Sequence, residues 1–148
     1  MEKDIKMNKI MLIKNSYITP DGTVLISEHT HDYKSHKDKI TDKIYAIDGG
    51  NDYSRTIGDI EDCIDNRIFV KEGESFTKEK FELIRNNFKW GTYGKNGKSP
   101  LKLKNLNELS NEHIDNILKT QTHLKHLVRG LFLIEKEYRI KNYIFLED

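Results

Sequence analysis

The hydrophobic pattern of the chain changes its period at Thr77, and this change constrains the fold more than any other feature. Before Thr77, short apolar runs are separated by turn signals, such as Pro20-Asp21-Gly22 ahead of the strand-like run at residues 23–27. After Thr77, apolar residues recur three and four positions apart, which is the spacing of a buried helix face. The sequence therefore predicts an α+β fold with an N-terminal antiparallel sheet followed by two to three C-terminal helices.

The helical half divides into three predicted segments. Thr77 is placed to cap the first, whose apolar residues recur at i, i+3 and i+7 from Phe81. Ser110 opens the second, and the third runs from about residue 123 to residue 142. The third segment carries a wide apolar stripe formed by Leu124, Leu127, Val128, Leu131, Ile134 and Tyr138.

Length and composition limit the classes of protein that the chain can represent. With 148 residues it is expected to form one domain over residues 1–148, with residues 1–6 as a disordered extension. The net charge of +1 argues against a general polyanion binder, so any basic surface must be local. Cys63 is the only cysteine, which excludes an internal disulfide and fits a reducing compartment.

No apolar run approaches the ~18 residues of a membrane span, and we therefore expect a cytoplasmic protein without a membrane partner.

A basic window without carboxylates lies between Leu83 and Asn107 and contains six positive charges. Its centre holds the only tryptophan, in Trp90-Gly91-Thr92-Tyr93, followed by Gly94-Lys95-Asn96-Gly97-Lys98. Backbone N–H groups, ammonium groups and aromatic faces together favour a phosphate-bearing partner. A solvated lysine-rich hairpin loop whose Trp90 belongs to the core explains the same residues. In that case Trp90 is at least half buried, with its indole N–H paired.

Two motifs that resemble catalytic signatures are incomplete. Gly97-Lys98-Ser99 lacks the earlier glycine of a P-loop, since Thr92 occupies that position. The motif also needs a strand before it and a helix after it, whereas Pro100 follows Ser99 directly. His29 and His31 would share one face of a strand and bind a metal, but Asp32 would face the other side. A hydrogen-bonded histidine pair is the alternative. We therefore expect no catalytic residues, no metal and no cofactor.

Several arginines are candidates for anion binding. Arg55 follows the Gly49-Gly50 bend, where an arginine commonly grips phosphate or carboxylate, while Asp48 is expected to organise the turn. Arg129 and Arg139 lie ten residues apart on the last predicted helix. The alternative for this pair is solvent-facing charge beside neighbouring glutamates.

About half of the chain resembles small uncharacterised proteins of tailed bacteriophages. The matching residues run from Arg85-Asn86-Asn87-Phe88-Lys89-Trp90-Gly91-Thr92 through Pro100-Leu101 to Ile117-Leu118-Lys119-Thr120-Gln121, with a further match at His31-Asp32-Tyr33 and Ile47-Asp48-Gly49-Gly50. The resemblance implies a phage or prophage accessory gene. Some proteins of this kind, with an antiparallel sheet followed by C-terminal helices, are anti-defence sponges that sequester cyclic nucleotide immune signals, such as those of the Thoeris system. The ligand is therefore implied by analogy with the family.

The leading hypothesis is a non-enzymatic protein that sequesters a nucleotide-derived immune signal, either a cyclic ADP-ribose derivative or a cyclic oligonucleotide. Stacking is assigned to Trp90, Phe88 and Tyr93, and phosphate contacts to Arg55, Arg85, Lys95, Lys98 and Arg129, with His31 and Asp32 as further ligand-binding residues. The apolar stripe of the third helix predicts a homo-oligomer.

Two other functions remain open at the level of sequence. The first is a nucleic-acid-binding or host-takeover protein that uses the basic window. The second is a nucleotide hydrolase that uses His29, His31 and Asp32.

Overall fold

Antiparallel strands come first in the chain and the longer helices come last, so the fold is α+β as the sequence predicted. The computed structural model describes residues 10–50, 53–94 and 97–147. Two compact units are present, an N-terminal unit (Met1–Gly73) and a C-terminal unit (Glu74–Asp148). The single domain over residues 1–148 stays a prediction, and the extension at residues 1–6 lies outside the described part.

One sheet of the N-terminal unit is built around β1, the longest strand. The strands are β1 (Ile10–Ile18), β2 (Val24–Ser27), β6 (Ile64–Asp65) and β7 (Ile68–Lys71). β7 pairs with residues 10–14 of β1, with a register shift between Leu12 and Lys14, whereas β2 pairs with residues 15–18 and β6 with residues 17–18. All of these pairings are antiparallel.

The other sheet of this unit has three antiparallel strands in sequence order. They are β3 (Lys34–Lys37), β4 (Ile44–Gly49) and β5 (Ser54–Ile57), and a short 3-10 turn follows at Ile60–Asp62. A buried cluster of Tyr17 and Leu25 from the first sheet with Tyr45 and Ile47 from the second forms the hydrophobic core between them. Cys63 packs against this cluster, and burial, together with nearby Asp62, raises the pKa of its thiol.

The C-terminal unit combines three helices with a two-stranded hairpin. Thr77 caps α1 as predicted, because its hydroxyl accepts a hydrogen bond from the N–H of Lys80 at 3.1 Å. Ser110 caps α2 in the same way through the N–H of His113 at 3.0 Å. The elements are α1 (Lys78–Arg85), β8 (Lys89–Thr92), β9 (Lys102–Asn105), a 3-10 turn (Leu106–Glu108), α2 (Asn111–Thr120) and α3 (His126–Lys141).

The buried face of α3 differs from the predicted apolar stripe. Val128, Leu131 and Phe132 are buried, but the face continues through two charged residues, Glu135 and Arg139. Predicted stripe residues Ile134 and Tyr138 lie to the side of it, and Ile134 is exposed. The alternative of solvent-facing charge is therefore wrong for Arg139, because Arg139 and Glu135 form an ion pair inside the core.

None of the helices in the described residues is both long and apolar enough to cross a membrane.

Candidate functional site

The basic window forms an antiparallel hairpin, here called the basic hairpin (residues 89–105). Trp90 lies opposite Lys104 and Thr92 opposite Lys102, so these four side chains share one face. The Trp90 ring meets Phe132 of α3 edge-on, with centroids 5.2 Å apart. Trp90 is more than half buried, as expected of a core anchor, but within the described residues its indole N–H has no hydrogen-bond partner.

The outer part of the basic hairpin is exposed. Tyr93 is 55% exposed, and the N–H of Ser99 donates to its carbonyl at 2.8 Å, which closes the loop. Leu101 and Leu103 lie beside Gly91, where an added Cβ would be only 3.0 Å from the Leu101 side chain. Predicted ligand residue Lys98 is exposed on this loop, whereas Lys95 lies outside the described residues.

Arg85 and Phe88, both predicted to contact a ligand, have partners in the core. Arg85 makes a bidentate ion pair with buried Glu135, at 2.8 Å from Nε and 2.7 Å from Nη2. Its guanidinium also lies 4.4 Å from the ring centroid of Tyr138. Phe88 is buried and meets Phe132 edge-on. These contacts supply structural roles for both residues.

Arg129 lies against the C-terminal end of α2. Its guanidinium donates to the carbonyls of Leu118 and Gln121 at 3.3–3.5 Å. A cation at this position complements the carbonyl dipoles at the end of a helix. Like Arg85, it therefore has a structural partner within the same unit.

Arg55 lies in the N-terminal unit, on β5 opposite Asp48 of β4. It donates to Asp48 Oδ2 at 2.9 Å, and its side chain remains 66% exposed. Asp48 is buried, and among the described residues its Oδ1 has no hydrogen-bond partner. Gly50, two residues after Asp48, has a φ of 113°. A Cβ atom at this position would lie 2.6 Å from the backbone of His29, so this close approach requires glycine.

The segment containing His29, His31 and Asp32 is a turn, so the strand face that the sequence predicted for it is wrong. The N–H of Asp32 donates to the His29 carbonyl at 3.0 Å, and His31 has φ 66°. The Asp32 carboxylate accepts from the N–H of Glu28 at 2.8 Å and pairs with Lys34 at 3.1 Å. His29 is mostly exposed, and no common metal-binding face results.

Sequence reasoning missed a cluster in which one atom each of Asp21, His36 and Asp38 lie within 4.8 Å of one another. His36 Nε2 bonds to Asp21 Oδ2 at 2.7 Å, and Asp38 Oδ1 accepts from the N–H of Asp21 at 2.8 Å. The remaining acceptor positions of the two carboxylates receive hydrogen bonds from Thr19, Thr23, Lys39, Ile40 and Thr41. Because every carboxylate oxygen already has a protein donor, the cluster joins two turns rather than presenting free ligands.

A cleft of about 600 Å³ in the C-terminal unit was also missed. Its floor contains the rings of Phe76, Phe81 and Tyr138, with centroids 6.2 Å apart for the first pair and 5.6 Å for the second. Phe76 and Phe81 occupy the positions before and after the Thr77 cap that form a hydrophobic staple. That pattern was available in the sequence, but it predicts a helix start and gives no sign of a cavity. The rest of the lining, here called the rim, is polar or charged except for Ile134, and its polar residues are Glu74, Ser75, Thr77, Lys78, Glu137, Lys141 and Asn142.

No model of a known protein family, no curated protein and no solved structure matches the chain.

Proposed function

We propose that the protein binds a small nucleotide-class ligand in the aromatic cleft and does not cleave it. The observation that carries this proposal is the cleft itself, whose volume of about 600 Å³ falls in the range typical of small-molecule sites. It combines an aromatic floor with a polar, charged rim, as a ligand with a flat base and a phosphate requires.

The aromatic floor supports recognition of a base. Stacking of a base on an aromatic side chain contributes roughly 1–3 kcal/mol and tolerates any base, because every base has a π face. The Tyr138 hydroxyl donates to Glu82 Oε2 at 2.7 Å, and the Arg85 guanidinium lies against the same ring. These contacts fix the orientation of Tyr138 before a ligand arrives, which lowers the entropic cost of binding.

The rim supports recognition of phosphate. Lys78 makes no ion pair among the described residues, so its ammonium group is available to an anion. Lys141 pairs with Glu137 at 2.8 Å, and both side chains are largely exposed, so a phosphate can displace this carboxylate at small cost.

The carboxylates of the lining are paired with lysines, which favours binding over general-acid catalysis. Glu74 pairs with Lys80 at 3.3 Å, and the hydrogen bond from Lys141 lowers the pKa of Glu137. A general acid near neutral pH needs a raised carboxyl pKa, which is the opposite shift for Glu137. Together with the resemblance to phage accessory proteins, this favours a sequestered immune signal, either a cyclic ADP-ribose derivative or a cyclic oligonucleotide.

Isothermal titration against cyclic ADP-ribose derivatives, cyclic dinucleotides, ADP and NAD tests the proposal. We expect micromolar or tighter binding of at least one, and at least tenfold weaker binding by Lys78→Glu. The matched control is Lys119→Glu, an exposed charge on α2 that does not line the cleft. Absence of heat with every compound, or equal loss in both variants, contradicts the proposal.

The fate of the ligand distinguishes a binder from a hydrolase. After incubation, the complex is denatured by heat and the released nucleotide is analysed by chromatography. Recovery of intact ligand is the expected result. Conversion to a product would instead establish the enzymatic alternative.

We further propose that the protein acts as a homo-oligomer, with α3 at or near the contact. Leu133 and Ile140 lie seven residues apart on α3 and are exposed, and Tyr143 and Phe145 add exposed rings beyond its end. Apolar residues on one exposed helix face are typical of subunit contacts. Light scattering at micromolar concentration should give at least twice the 17.4 kDa chain mass, whereas the mass of one chain contradicts the assembly.

A further inference from the structure

The chain leaves α3 through a tyrosine in a left-handed backbone conformation. α3 ends at Lys141 with Asn142 as its C-cap, and Tyr143 follows with a φ of 56°. Glycine is the usual residue at this position, because the Cβ of any other residue crowds the following carbonyl oxygen. Among the described residues, His31 and Asp42 also have a positive φ, but they belong to the residue types that tolerate it best. A bulky tyrosine adopts this conformation only under strain.

Backbone hydrogen bonds hold Tyr143 in the left-handed conformation. The N–H of Ile144 donates to the Arg139 carbonyl at 2.8 Å, and the N–H of Tyr143 donates to the Ile140 carbonyl at 3.4 Å. These are the two hydrogen bonds of a Schellman motif, which closes the carbonyl end of a helix. Arg139 is itself buried and donates to Glu135 at 2.7 Å. The helix end therefore fixes the backbone of Tyr143 without help from its side chain.

The side chain of Tyr143 contributes almost nothing to the packing of the C-terminal unit, since the residue is 96% exposed. Glycine at this position would relieve the backbone strain without removing a buried contact. A strained conformation that packing does not require points to a functional role for the side chain.

Tyr143 lies at the edge of the cleft. The two residues directly before it, Lys141 and Asn142, are part of the cleft lining, and consecutive Cα atoms are ~3.8 Å apart. An exposed ring such as that of Tyr143 changes its rotamer within picoseconds to nanoseconds, so it is free to turn towards a bound molecule. The floor of the cleft covers only one face of a flat base, and the second face is left for another ring.

From these observations we infer that Tyr143 contacts the ligand of the cleft and that its ring covers the outer face of a base bound on the aromatic floor. The helix end holds the Cα of Tyr143 in place while the ring moves. This inference rests on the proposed function of the cleft and adds a second stacking surface to it. Because every base has a π face, the contact selects base-bearing ligands without choosing among the bases.

Isothermal titration with ADP, combined with thermal melts, tests the inference through Tyr143→Gly. The melting temperature should rise by about 2–4 °C, because the backbone strain is relieved. ADP should bind at least about fivefold more weakly, which is the lower limit for the loss of one base–aromatic stack. Tyr143→Phe retains the ring and should bind ADP as the unaltered protein does. The matched control is Asp42→Gly, which relieves a φ of 61° at an exposed position of the N-terminal unit and should leave the affinity unchanged.

Chemical labelling observes the ring directly. N-acetylimidazole acetylates exposed tyrosine hydroxyls, and ADP should slow the acetylation of Tyr143, as measured by mass spectrometry. Tyr93 on the basic hairpin is 55% exposed and serves as the control, since ADP should not change its rate. Light scattering of Tyr143→Gly should give the same mass as the unaltered protein, because the stacking role is independent of the proposed contact along α3.

The outcomes separate this inference from the proposed function of the cleft. If Lys78→Glu weakens ADP binding and Tyr143→Gly does not, the cleft binds its ligand without Tyr143 and only the inference is overturned. A lower melting temperature or a changed mass for Tyr143→Gly would assign Tyr143 to folding or assembly instead. If ADP does not bind the unaltered protein, the pair of stacking surfaces is overturned even where another nucleotide of the panel binds.

Discussion

Each unit of the protein contains a carboxylate that accepts several hydrogen bonds, and the two units supply different kinds of donor. In the N-terminal unit, Asp21 accepts from hydroxyl and backbone donors and from His36, near the surface. In the C-terminal unit, Glu135 is fully buried and accepts from two guanidinium groups, those of Arg85 and Arg139. Asp21 therefore links two turns through mainly neutral hydrogen-bond donors, whereas the burial of Glu135 depends on partners of opposite charge.

This difference determines which cluster is more sensitive to the loss of one member. A buried ion costs several kcal/mol to desolvate, and only its partners offset that cost. Arg139 is itself 2% exposed and donates to Asn111 at 2.7 Å and to the Leu106 carbonyl at 3.1 Å. Removing Glu135 would therefore leave an arginine in the core with neutral acceptors only.

The largest effect is expected from Glu135→Gln. The substitution preserves shape but leaves buried positive charge uncompensated, so the free energy of unfolding should fall by about 3–5 kcal/mol. Urea unfolding followed by circular dichroism measures this change. Asp115→Asn is the control, because Asp115 pairs with Lys136 on the surface and its loss should cost less than about 1 kcal/mol. Equal losses in the two variants would contradict the assignment of Glu135 as the essential core anion.

A smaller, pH-dependent effect is expected in the N-terminal unit. Hydrogen bonds from Thr23, His36 and the Lys39 N–H lower the pKa of Asp21, and the pKa of Asp38 is lowered as well. Since the folded-state pKa of Asp21 lies below the unfolded value of about 3.9, its contribution is fully present above that value and is lost as the pH falls below it.

Asp21→Asn tests this expectation. The urea midpoint of the variant should lie below that of the unaltered protein at pH 6.5, and the gap should narrow by pH 3. Amide exchange at low pH should accelerate first in residues 10–50 and 53–73. If the difference between the two urea midpoints stays constant with pH, the ionisation of Asp21 does not contribute to the stability of the protein.

The smallest effect is expected from Arg129→Met. Its hydrogen bonds to the end of α2 are long, at 3.3–3.5 Å, so their loss should lower the free energy of unfolding by about 0.5–1 kcal/mol. The same urea experiment measures it. A loss as large as that of Glu135→Gln would indicate that α2 depends on this single contact.

Local signals in the sequence predicted the order and type of most elements. The Thr77 cap, the Ser110 cap and the turn at Asp21 depend on residues close in the chain, and the structure contains all three. The inward direction of Glu135 and Arg139 was not predictable in this way, because a periodicity argument assigns charged residues to solvent. Their burial requires Arg85, which lies 50 residues from Glu135.

The candidate sites were predictable only in part. The basic window indicated a binding surface, but its composition did not show that Trp90 would turn towards Phe132 while Tyr93 stayed exposed. The cleft was missed because Phe81 and Tyr138 are 57 positions apart and were each assigned to the apolar face of a different helix. Contacts between distant segments create such cavities, and a single sequence carries no direct record of them.

The Phe76–Phe81 contact couples the start of α1 to whatever occupies the cleft. The two rings fix the entry angle of the chain into the helix, and the same rings form part of the cleft floor. A ligand that stacks on Phe76 binds only those protein molecules in which the first turn of α1 is formed. Its apparent affinity is therefore reduced in proportion to the fraction of protein in which this turn is frayed. By reciprocal linkage the ligand suppresses fraying, and slowed amide exchange in the first turn of α1 becomes a direct readout of occupancy.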